Sequence, residues 1–136
     1  MKRVIGVDYG RRRVGVAVSD DLGLTAQPLA TLTVRGGRDA SRQLVELVDA
    51  HDVDTIVVGL PLNMDGTRGE MADEVEKLGG RLAEETGRPV IYWDERLTTQ
   101  AASRTLRMSG KRADKGAVDR IAACLILDGY LNSKRA

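Results

Sequence analysis

Apolar and polar positions follow three rhythms along the chain, and each rhythm predicts a different kind of element. Val4 to Asp8 and Val14 to Ser19 are β-rich runs joined by Tyr9-Gly10-Arg11-Arg12-Arg13, which suits a hairpin. A third extended run, Leu29 to Val34, follows the turn and edge signals Asp20-Asp21-Leu22-Gly23 and Pro28. The period then changes. Ala40, Leu44, Leu47 and Val48 fall at helical spacing and predict an amphipathic helix from about Arg38 to His51. Thr55 to Leu60 is a continuous apolar run ended by Pro61, the mark of a strand buried on both faces.

Thr67-Arg68-Gly69-Glu70 has capping-box spacing and opens a second helix, which stops at Gly87 with Pro89 just beyond. Val90 to Trp93 reads as the next buried strand. Thr98 or Thr99 caps a further helix to about Met108, a polar loop runs from Ser109 to Gly116, and a last helix spans Ala117 to Leu131. The order is three strands, helix, strand, helix, strand, helix, helix. A meander followed by βαβ crossovers predicts an α/β fold with a mixed sheet and helices on its faces. No repeat, linker or low-complexity tract divides the 136 residues, so they read as one domain.

Composition narrows the class without naming it. With 42% hydrophobic and 30% charged residues the chain is an ordinary globular protein. No apolar stretch is long enough for a membrane helix, and Asp8 interrupts the N-terminal run too early for a signal peptide, so the expectation is a cytoplasmic protein. A lone cysteine, Cys124, excludes an internal disulfide framework and a Cys-rich zinc site. A net charge of +1 does not mark a nucleic-acid binder, but the distribution is uneven. Arg104, Arg107, Lys111, Arg112, Lys115 and Arg120 stand against Asp114 and Asp119, whereas 67–87 is acidic. Such runs are either solvated helix faces or a phosphate-facing side, and only their placement in space separates the two.

The candidate chemistry lies in carboxylates. Asp8 ends an apolar strand with Gly10 two positions on, and Glu95 follows the 90–93 strand in the same way. Asp119 shares a helix face with Ala122, Ala123 and Ile126, a small apolar face suited to packing on a sheet. Each has an ordinary explanation as a solvated turn acid or a first-turn helix acid. His51 and Cys124 sit in helical contexts that offer no plausible base or nucleophile. Carboxylates without such a partner suit hard cations, Mg²⁺ or Mn²⁺; two ions about 3.5–4 Å apart activate water in phosphodiester cleavage.

The motifs Val4-Ile5-Gly6-Val7-Asp8-Tyr9-Gly10, Arg13 to Asp20, Val58 to Thr67, Asp94-Glu95-Arg96-Leu97-Thr98-Thr99 and Val118 to Ala123 together resemble the YqgF (RuvX) family. The match runs in order over nearly the whole chain. That family is described as Holliday-junction resolvases and as nucleases acting on the 5′ end of pre-16S ribosomal RNA. The resemblance implies an RNase H-like domain over 1–136, with a five-stranded mixed sheet: a three-strand antiparallel meander plus two parallel strands, with helices on both faces.

It also implies that Asp8, Glu95 and Asp119 are the catalytic acids. In that reading Asp8 bridges two divalent ions and Glu95 and Asp119 each complete one shell, with Asp65, Asp94 and Asp114 as further candidate ligands. Arg11, Arg13, Asn63, Arg96, Lys111, Arg112 and Lys115 are the expected substrate-binding residues. With three Tyr, one Trp and no Phe the chain lacks a base-stacking platform, which favours structured RNA or branched DNA, bound by a monomer or a homodimer. Two competing readings remain at this point: a nucleotide-binding domain related to the actin and Hsp70 superfamily, whose first phosphate loop Asp8-Tyr9-Gly10 resembles, and a non-catalytic nucleic-acid-binding module in ribosome maturation or transcription.

Overall fold

The computed structural model describes residues 3–97 and 115–135, with side chains from 116 to 134 in the second stretch. Strands β1 (Arg3–Tyr9), β2 (Arg13–Ser19) and β3 (Ala26–Thr33) form the antiparallel meander. Helix α1 (Gly37–Ala50) leads to β4 (Val53–Leu60), and α2 (Glu70–Thr86) leads to β5 (Val90–Asp94). A 3-10 turn, Glu95–Leu97, follows, and α3 spans Lys115–Arg135. The strand order is β3-β2-β1-β4-β5, with β4 parallel to both β1 and β5. The five-stranded mixed sheet is the one expected.

The period-2 side-chain alternation sends each strand's residues to two different layers. Ile5, Val7 and Tyr9 of β1, with Val14, Val16, Ile56 and Val58, pack against Leu44, Val48, Val75, Leu78 and Leu82 of α1 and α2. The other face carries Val4, Ala17, Val57, Ile91 and Trp93 and is covered by Ala123, Ile126, Leu127, Tyr130 and Leu131 of α3. Helices therefore lie on both faces. Among the described residues no helix is long and apolar enough to cross a membrane.

Three local expectations change. β3 begins at Ala26, not Leu29, and includes Pro28, which pairs with Ala17 beside a register shift in β2. A proline lacks the ladder N–H, and an edge strand with a bulge accommodates that loss. The capping box does not form: Gly69 is the N-cap of α2 and no side chain caps it. Thr67 is instead held in the preceding loop, its hydroxyl donating to Asp65 Oδ1 (2.6 Å) and accepting from Asn63 Nδ2 (2.9 Å). Asp65 also accepts the Thr67 backbone N–H, and this local turn outcompetes the cap. The last helix starts two residues earlier and ends four later than its apolar pattern suggested. The C-terminus of α2 is as expected, with Gly87 at φ 67° and its N–H on the Ala83 carbonyl. The expected helix to Met108 lies outside the described residues.

Candidate active site

A helix can lie close on a sheet only where side chains are absent between them, and here glycines make that room. Gly15 of β2 pairs with Asp8 of β1. A Cβ on Gly15 would run into the Asp119 carbonyl, so the start of α3 rests directly on β2. Further along, a Cβ on Gly6 would meet Leu127 Cβ at 2.7 Å. On the other side of β1, Val7 pairs with Val58, one residue before Asp8 and Gly59. A Cβ on Gly59 would come within 2.7 Å of Glu95 Oε1 and 2.6 Å of Ile126 Cδ1. Asp8 thus sits in a row of the sheet flanked by two glycines. One admits the backbone of Asp119 and the other the carboxylate of Glu95.

This arrangement brings the three acids together on the α3 face. Burial pushes the Asp8 carboxyl well above the usual carboxylate range, and the neighbouring Glu95 and Asp119 charges push the same way. Burial also raises Glu95, while a hydrogen bond from Asp8 opposes that rise. Both carboxyls are thus held above their usual range, the response of two adjoining buried acids that do not ionise independently. Asp119 is turned the other way and accepts from Arg13 Nε at 2.8 Å. Arg120 fixes the same end of α3, donating to Thr31 Oγ1 at 2.9 Å, and Thr31 donates to the Gly116 carbonyl at 2.6 Å.

Linkage gives a stability prediction. An acid whose folded pKa is raised binds more protons folded than unfolded, so its stabilising effect is present at low pH and is lost as pH rises through that raised value. In chelator, Asp8→Asn is expected to melt at a higher temperature than the wild type at pH 8, with the gap closing towards pH 4. A gap independent of pH would contradict the raised Asp8 carboxyl.

The expected substrate residues divide. Arg13 reaches the site through Asp119. Arg96 pairs with Asp94 (2.7 Å) and its Nη1 lies 3.4 Å from the Met64 carbonyl, so it ties the end of β5 to the 61–67 loop and holds Asp94 below its usual range. Asn63 shapes that loop through Thr67. Arg11 lies elsewhere, bound by Glu74 of α2 at 2.6 Å. Lys111, Arg112, Asp114 and the Lys115 side chain fall outside the described residues. Sequence reasoning passed over Thr31, Gly15 and Gly59. A glycine inside a β-branched run is the signal that marks the last two, because it signifies close approach.

The donors at Asp8, Glu95 and Asp119 are all carboxylate oxygens, and the like charges that raise Asp8 are ones a cation would relieve. That chemistry fits a hard divalent ion. Among the described residues no three His, Cys, Asp or Glu already stand arranged around a metal position, and Asp119 is paired with Arg13.

A family model described as RuvX, Holliday junction resolvase, matches residues 2–133. A protein of Syntrophus aciditrophicus named "Putative pre-16S rRNA nuclease" is 46% identical over 133 residues, covering 96% of this chain and 89% of that one. One of the same name from Geobacillus kaustophilus is 44% identical over 137 residues, covering 98% and 99%. Among solved structures, T. thermophilus RuvC in complex with a Holliday junction substrate superposes with a TM-score of 0.65 at 20% identity, over 100% of this chain and 97% of the other. The fowlpox virus Holliday junction resolvase gives 0.61 at 12%, over 96% and 99%. These two likenesses bear on the fold, which is RNase H-like. The chain belongs to the RuvX Holliday junction resolvase family and is a nuclease, an enzyme that hydrolyses phosphodiester bonds.

Proposed function

We propose that Asp8, Glu95 and Asp119 are the catalytic acids of an endonuclease acting on structured nucleic acid, either the 5′ end of pre-16S ribosomal RNA or a four-way DNA junction. The observation that carries this reading is the seat of Asp8 between Gly15 and Gly59, which sets Asp119 and Glu95 beside it on one face of the sheet. Its substrates are the ones named for the similar proteins and the matching family.

The three carboxylates would hold Mg²⁺ or Mn²⁺, which supplies charge neutralisation and an activated water for attack on phosphorus. Asp8, at the centre, must give up its proton for the site to load, so loading is favoured at higher pH. Glu95, seated over Gly59 against Ile126, would then face a charged carboxylate at Asp8. Arg13 holds Asp119 at 2.8 Å and, with a cation bound at the carboxylates, would be available to a substrate phosphate. Arg96 pairs with Asp94, the acid next to Glu95, and so offsets part of the charge that Asp94 adds to the site.

Cleavage of a pre-16S RNA fragment and of a four-way DNA junction, with Mg²⁺ and with Mn²⁺, tests the reading. Wild-type protein is expected to cut one or both, and Glu95→Gln to be slower by about a hundredfold or more. Equal rates for the two proteins on every substrate would overturn the assignment. In the same assay, a second expected result is that wild-type activity rises with pH through the raised Asp8 value, as metal must displace its proton.

A further inference from the structure

Tyr9 follows Asp8 on β1 and, by strand alternation, faces the opposite layer. There its ring is buried, with 7% exposure, yet its hydroxyl makes no hydrogen bond among the described residues. It ends in a cavity of about 170 Å³ lined also by Gly37, Glu74, Lys77 and Arg81. This is the start of α1, where Gly36 is the N-cap and no side chain caps the helix. The first helical hydrogen bond is Ala40 N–H to the Gly36 carbonyl, which leaves the N–H groups of Gly37, Arg38 and Asp39 without helical partners.

The charges around this cavity are unbalanced. The Arg81 guanidinium packs on Gly37, where an added Cβ would meet Arg81 Nη1 at 2.8 Å and Tyr9 Oη at 3.9 Å. Arg81 has no ion pair among the described residues, and it stands against the positive end of a helix dipole. Lys77 adds a second cation. Glu74 in the lining is already engaged by Arg11, at 2.6 and 3.0 Å. Asp39, the acid of the first turn, is committed to the Arg42 guanidinium (2.5 Å), the Arg35 N–H (2.9 Å) and Gln43 (3.2 Å). A guanidinium, an ammonium, open helix amides and the Tyr9 hydroxyl converge there, and the one carboxylate in the lining, Glu74, is shared with Arg11.

We infer that the cavity bounded by Tyr9, Lys77, Arg81 and the first turn of α1 binds a phosphate group. The open amides and the dipole favour a compact anion, Arg81 offers a planar fork of donors, and the Tyr9 hydroxyl donates from the floor. The site is distinct from the carboxylate centre: it lies on the α1 and α2 side of the sheet, at the same end of β1. The phosphate comes either free from solution or as part of a nucleic-acid backbone.

Thermal unfolding with inorganic phosphate, against chloride at matched ionic strength, tests the site. The wild type is expected to gain melting temperature saturably. Tyr9→Phe and Arg81→Gln each preserve most of the side-chain volume and are expected to lower phosphate affinity about tenfold. Arg3→Gln, at the far end of β1 and paired with Asp21, keeps the full response. No saturable gain in the wild type, or the same gain in the Tyr9 and Arg81 variants, overturns the site. A second arm identifies the source. Binding of a fluorescent duplex is measured in chelator over a range of salt. If the phosphate belongs to a backbone, Arg81→Gln weakens binding and reduces the slope of log affinity against log salt by about one. If it is free phosphate, duplex binding by Arg81→Gln matches the wild type and only the thermal response falls.

Discussion

Asp8→Asn is expected to slow phosphodiester cleavage by about a thousandfold or more while leaving the fold in place. Asparagine keeps the shape of the side chain and can still donate to Glu95, so the row between Gly15 and Gly59 stays filled. What it removes is the central negative charge on which cation binding depends. Asp8 is the member of the trio that borders both others, since its carboxyl is raised by Glu95 and by Asp119 together. Loss of this residue therefore disrupts both halves of the site, whereas loss of Glu95 leaves Asp8 and Asp119 in place. The measurement is single-turnover cleavage with Mg²⁺ or Mn²⁺, alongside thermal unfolding. Activity within tenfold of wild type would remove Asp8 from the mechanism. Lost activity with a collapsed melting temperature would show that the residue holds the fold instead.

The second large effect concerns a residue with no side chain. Gly15→Val is expected to destabilise the protein by about 3 kcal/mol and to lower its melting temperature by about 10 °C. The new side chain would enter space filled by the Asp119 backbone, and a helix backbone cannot rotate aside as a side chain can. Relief requires α3 to lift from β2, which separates Asp119 from Asp8 and from Arg13. Cleavage should accordingly fall even at temperatures where the variant is still folded. Gly80→Ala in α2 is the matched control, because nothing lies within 4 Å of its added Cβ. It is expected to be neutral or to stabilise by up to about 1 kcal/mol. A Gly15 variant that melts like the wild type would refute the close approach.

The sheet was legible because its strands differ so plainly in pattern. Alternating β-branched residues marked β1 and β2, and continuous apolar runs marked the parallel strands β4 and β5. Helix α1 was legible from the spacing of Ala40, Leu44 and Val48, each buried in the fold. The start of α2 was misread because Thr67 and Glu70 satisfy a local rule, while Asp65 offers Thr67 a nearer partner. β3 was shortened by treating Pro28 as a boundary, although an edge strand tolerates it.

At the site, strand ends located Asp8 and Glu95, and helix periodicity put Asp119 on an inward face. Pairing register was needed to see that Gly15 and Gly59 flank Asp8, since no local pattern reveals which residues become neighbours across strands. The binding of Arg11 by Glu74 was equally hidden, because 63 positions separate them. The basic residues at 104–112 remain an expectation from sequence, outside the described residues.

The seat of Asp119 on Gly15 also has a consequence in time. Residues from opposite ends of the chain meet there, with 106 positions between Arg13 and Asp119. Contacts so distant in sequence form late, after the loop between them has closed. On a ribosome the meander and both parallel strands emerge before α3 does, and until α3 docks the sheet exposes Val4, Ala17, Val57, Ile91 and Trp93. An unfinished chain therefore has Asp8 without its third acid and an uncovered apolar face. Such a chain is attractive to chaperones. With Asp119 as a catalytic acid, as proposed, cleavage waits until synthesis has passed α3.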